Sequence, residues 1–172
     1  LALESRLVRP HTAPAAQVLD VFALQSKRLA DVDWHHSSGF SESGAKEDGT
    51  IKWENTRPTN INAVVLQSGQ IINGCALVKE AKPDWQHHQD WISVDLEDLP
   101  TNFLPRTLYQ HNVNQNEIDF RYPKLNGVSE REHTRVVVRN WVDPSGRRTL
   151  QAGLAPPGLT TIDSVTSIVM RV

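Results

Sequence analysis

Histidine and tryptophan carry the most chemical promise in this sequence. Two short stretches resemble one another: Asp33-Trp34-His35-His36, and Asp84-Trp85-Gln86-His87-His88-Gln89-Asp90-Trp91. Each joins an acid, an indole and a pair of imidazoles, in a chain with five Trp and seven His. Two kinds of chemistry use such a set. Imidazole and carboxylate together ligate zinc, iron or copper. An exposed indole covers the apolar C–H face of a sugar, while Asp, Asn, Gln and His bond its hydroxyls.

Spacing decides between them. Adjacent histidines on a strand point to opposite faces, so each pair offers one easy ligand at most. There is no H-E-x-x-H and no cysteine cluster to complete a metal site. No metal and no cofactor are therefore expected. The sugar reading needs only exposed indoles among polar loop residues, and it selects Trp34, Trp85, His87, His88, Asp90 and Trp91 as ligand contacts. Asn112, Asn114, Gln115 and Asn116 make a second amide-rich loop of the same character. Trp53 and Trp141 fall within strand patterns and are expected in the core.

Catalytic residues are not assigned. Nucleophilic hydrolysis needs a Ser or Cys beside a base held by an acid, and no G-x-S-x-G elbow occurs. A metal-dependent or carboxylate-based hydrolase is the alternative. It would draw on His35, His36, His87 and His88, or on two carboxylates from Asp84, Asp90, Asp95, Glu97 and Asp98. Phosphate-binding glycine loops are absent. Arg131, Arg135, Arg139, Arg147 and Arg148 make the C-terminal half locally basic, with Glu130 and Glu132 beside them, which reads as a solvated outer strand face. With 18 basic and 20 acidic residues the net charge is -2, so no strong field arises and nucleic-acid binding is not expected.

The remaining bulk features set the class. At 172 residues, 38% hydrophobic and 22% charged, the chain can bury one core. The single Cys75 allows no internal disulfide and sits in an apolar run, as a small buried thiol does. No apolar run reaches the roughly 18 residues of a membrane span. The chain opens on Leu1 with no signal-like segment, as a processed chain or a piece of a longer one would.

The elements that must position these residues are mostly strands. Ala15, Val18, Leu19, Phe22 and Leu29 recur at helical spacing after Pro14, predicting one helix over about residues 14–31. Residues 33–50 read as a loop. Ile61–Gln67 and Ile71–Val78 flank Ser68-Gly69, as in a tight hairpin. Ile92, Val94 and Leu96 alternate with Ser93 and Asp95. Ile118, Phe120 and Tyr122 do the same with Asp119 and Arg121. Asn126-Gly127 suits a turn at positive φ. Thr134–Val142 is the strongest strand, folding back through Asp143-Pro144-Ser145-Gly146 onto Arg147–Leu154. Thr160–Val172 closes the chain as a paired strand. The expected fold is therefore mainly β, an antiparallel β-sandwich or jelly roll with one short N-terminal helix. Residues 1–31 would form an arm and helix, and residues 32–172 the β domain. The expected role is binding or assembly: recognition of a glycan or protein ligand, or a homo-oligomer joined through the N-terminal arm.

Overall fold

The computed structural model describes Leu24 and residues 33–54, 56–71, 74–84, 91–95, 97–98, 100, 102–141 and 151–170. The chain divides into two units, Leu1–Asp33 with Val172, and Trp34–Arg171. The helix expected over 14–31 lies outside the described residues except for Leu24, which is exposed.

The second unit is mainly β. Its elements are β1 (Trp34–Ser37), α1 (Glu42–Glu47), β2 (Ile51–Trp53), β3 (Val65–Leu66), β4 (Gly74–Cys75), β5 (Lys79–Ala81), β6 (Trp91–Ser93), β7 (Tyr109–His111), α2 (Gln115–Arg121), β8 (Lys124–Leu125), β9 (Val128–Ser129), β10 (Arg135–Arg139), β11 (Ala152–Ala155), β12 (Thr160–Thr161) and β13 (Val165–Met170). One five-stranded sheet has the order β1-β13-β10-β11-β4. Among the described residues the other strands pair as four two-stranded sheets. Most pairings are antiparallel, but β4 joins β11 and β12 joins β3 in parallel.

The main sheet forms where β-branched residues are densest. Val136–Val138 lie at the centre of β10, and β13 alternates Val165, Ser167 and Val169 inward with Thr166, Ile168 and Met170 outward. Register carries that sidedness across the sheet: Val137 faces Ser167 and Gly153, while Trp34 faces Met170. The expected pairing of Thr134–Val142 with the following strand is present as β10 with β11, and the turn that joins them lies outside the described residues. Asn126 and Gly127 have φ of 52° and 84°, the conformation of a two-residue primed turn closing β8 on β9.

Five expectations fail, each for a physical reason. Residues 61–78 make no hairpin. Ser68–Gln70 is a 3-10 turn whose Gly69 lacks positive φ, and the strands on either side enter different sheets. Residues 42–47 are α1 rather than loop, capped by Ser41. Gln115–Arg121 is a helix, not a strand. Asn114 Oδ1 accepts from Glu117 N at 3.0 Å, and one helical face buries Ile118 while Phe120 points to solvent. In β6 the inward residue is Trp91, opposite buried Ala81, and Ile92 faces out. The indole offers more apolar area to bury than Ile. Finally, Arg131 and Arg135 are buried rather than on a solvated face.

Candidate functional site: the Trp91–Trp141 cleft

A cleft of about 690 Å³ opens where the main sheet meets the loops beside it. Trp91, Trp141, Arg139, Lys79 and Glu42 line it, with Gln67, Ser68 and Ser164. Its size and its mix of aromatic and polar walls suit a small ligand.

Several elements converge to build it. β10 ends at Arg139, and Asn140 anchors the chain just beyond that end. Asn140 N donates to Ser164 O at 3.1 Å, its Nδ2 donates to Asp163 O at 2.7 Å, and its Oδ1 accepts from Thr166 Oγ1 at 2.6 Å. Trp141 comes next and is 70% exposed. On the other side, the 3-10 turn at Ser68–Gln70 is tied down by Gln67 N donating to Gln70 Oε1 at 3.1 Å and Ser68 N donating to Ser164 Oγ at 3.3 Å. Gly69 in this turn is needed for close approach: a Cβ there would run into the Trp91 indole at Nε1 and Cε2. The turn therefore sets where that indole stands.

Charge in the cleft is partly neutralised. Glu42 Oε1 accepts from the Tyr109 hydroxyl at 2.7 Å and lies 3.2 Å from Lys46 Nζ. Burial, and then the bond to Glu42, hold the Tyr109 hydroxyl well above its ordinary pKa, so it stays a donor. Lys46 also lies over the rings of Tyr109 and Trp53.

The residues selected from the sequence are distributed unevenly. Trp91 lines this cleft. Trp34 stands at the edge of the main sheet, 48% exposed, with its ring 5.4 Å from that of His36, and is not part of the cleft wall. Trp85, His87, His88 and Asp90 lie outside the described residues. His35 has its ring 6.5 Å from that of His36 and meets buried Glu130, with Nε2 2.8 Å from Oε1, while Ser37 Oγ donates to Oε2 at 2.5 Å. That serine bonds the acid rather than the imidazole, so the three do not form a nucleophilic triad. No cluster of three or more metal-ligating side chains occurs among the described residues.

In the second amide loop Asn116 is exposed and the other three are spent on structure. Asn112 Nδ2 donates to Gly49 O at 3.1 Å, Asn114 caps α2, and Gln115 Oε1 accepts from Arg131 Nη2 at 2.6 Å. Arg131, Asp119, Asn62 and Glu132 do line a smaller cleft of about 440 Å³. There, too, Arg131 is tied to its neighbours, with Nη2 also donating to Asn62 Oδ1 at 3.0 Å. Trp53 and Trp141, expected in the core, are both exposed; Trp53 packs its ring 4.4 Å from that of Tyr109. The sequence reading missed Trp141 and Arg139 as cleft residues. A usable signal was present, because the Asp143–Gly146 turn motif places both at a strand end, where sites are commonly grafted.

Compared with known protein families, curated proteins and solved structures, the chain matches none.

Proposed function

We propose that this is a non-catalytic recognition module that binds a glycan in the Trp91–Trp141 cleft. The observation that carries the reading is two indoles lining one concave, polar-walled site, one of them 70% exposed. A large apolar ring left in water beside hydrogen-bonding groups is matched by a pyranose, which presents both an apolar face and hydroxyls. Ser68, Ser164 and Gln67 provide the polar partners. Trp85, His87, His88 and Asp90 directly precede Trp91 in sequence and are proposed as further contacts of the same ligand.

The hydrolase alternative requires two of the four histidines beside an acid in one pocket. Of the described pair, only His35 meets an acid. The antiparallel sandwich or jelly roll is kept as a proposal for the full arrangement of sheets, and assembly through residues 1–31 as a proposal for the arm.

Tryptophan fluorescence titrations with a panel of neutral and acidic oligosaccharides test the reading. Trp141→Ala is expected to weaken binding by about tenfold or more while leaving the far-ultraviolet circular dichroism unchanged, because an exposed side chain carries little folding energy. Undiminished affinity in Trp141→Ala would remove this cleft as the site.

A further inference from the structure

Two cations in the cleft have no acid partner among the described residues. Arg139 Nη1 donates to Gln151 Oε1 at 3.0 Å, a neutral acceptor. Lys79 is bonded through its backbone carbonyl, which accepts from Gln70 Nε2 at 3.4 Å. Neither side chain takes part in an ion pair among the described residues, and both line the cleft beside the indoles. The acid on the same wall, Glu42, is already engaged by Lys46 and Tyr109. Asp163, in the adjoining turn, accepts from Glu42 N through Oδ2 at 3.2 Å and does not line the cleft. The described lining of the cleft is therefore net positive, in a chain whose net charge is -2.

Resting on the glycan reading above, we infer that this cleft is selective for an acidic sugar, a carboxylate-bearing oligosaccharide held by Arg139 and Lys79. A guanidinium meets a carboxylate with two parallel N–H bonds, and an ammonium adds a point charge. The indoles take the C–H faces of the ring that bears the carboxylate. A nucleic-acid strand fits less well. Following a phosphodiester backbone takes a track of cations. Among the described residues the cleft lining offers two, and the chain leaving β6 carries exposed Asp95, Glu97 and Asp98.

Calorimetric titration of the full chain with tetragalacturonate, its methyl ester and a short oligothymidylate separates the possibilities. The acid is expected to bind about tenfold or more tighter than the ester. High salt should narrow that gap. Arg139→Gln and Lys79→Gln should each reduce that gap, with far-ultraviolet circular dichroism matching the parent to show that they are folded. Equal affinity for acid and ester in the parent chain overturns this inference and leaves the glycan reading standing. Failure of both sugars to bind overturns the two together. Tighter binding of oligothymidylate than of the acid sugar overturns both in favour of nucleic acid.

Discussion

His111 shows how one buried side chain sets a pH limit on the fold. Its Nε2 shares a hydrogen with Thr160 Oγ1 at 2.8 Å, and its partly buried ring has Nδ1 shut off from solvent. Burial first, and then the nearby charge of Arg131, push its pKa down to about 4 from an ordinary 6.5. The folded state thus binds the proton more weakly than the unfolded chain does. The stability held by neutral His111 is complete above about pH 6.5 and is lost as pH falls toward about 4, a window worth on the order of 3 kcal/mol. His111→Asn keeps a hydrogen-bonding group near Thr160 but does not titrate. Urea unfolding at pH 7, 5.5 and 4.5 should show the parent losing stability that the variant keeps. Equal acid slopes would assign the acid sensitivity to the carboxylates instead. Nothing in the sequence marks His111 for this role; it comes after a tyrosine and a glutamine like any strand histidine. Trp141 is the opposite case. Its type was informative, but its strand pattern pointed to the core, whereas the indole is exposed just beyond Asn140, which the turn at Ile162–Ser164 holds in place.

At the scale of elements, legibility tracked length and turn chemistry. β10 and β13 were readable because several β-branched residues in succession leave few other choices, and the primed turn at Asn126-Gly127 was readable because few residue pairs tolerate two positive φ angles. Short elements were not. Ile118, Phe120 and Tyr122 share a strand's spacing of two, yet Ile118 and Tyr122 are also one helical turn apart, and only the exposure of Phe120 separates the two patterns. The distinguishing signal was Asn114 with Glu117 three residues later, a helix-start pattern. That cap matters in α2, a helix of 7 residues that is too short to hold itself together without its cap and its packing. Asn114→Ala is therefore expected to cost about 1 kcal/mol in chemical denaturation, with Asn114→Ser largely restoring it. A loss of a few tenths only would mean that packing of Ile118 and Tyr122, not the cap, holds the helix.

Across the whole unit, two apolar clusters share one wall. Val65 belongs to the cluster with Tyr109, Ile118 and Tyr122, while its neighbours Val64 and Leu66 belong to the cluster with Val137, Leu159 and Val165. β3 is thus buried on both faces, which explains why its sequence is a continuous apolar run rather than an alternation, and why it pairs in parallel with the equally buried β12. Arg135 crosses the same divide. Its Nη1 donates to Tyr122 Oη at 3.0 Å in one cluster, and its Nη2 donates to Leu159 O at 2.6 Å in the other. Tyr122 Oη in turn accepts from Thr161 N at 3.0 Å, so one buried network spans both. Sequence periodicity placed Arg135 on the sheet but on the wrong, solvated face, since a buried arginine is legible only through its acceptors. If this network couples the clusters, the parent should unfold in a single transition, with tryptophan fluorescence and far-ultraviolet circular dichroism coinciding. Arg135→Met keeps much of the volume and removes the donors. It should lose about 2 kcal/mol, because Leu159 O is left buried without its partner, and its two probes should separate. Coincident transitions at unchanged stability would show that the shared strand β3 alone makes the two clusters one cooperative core.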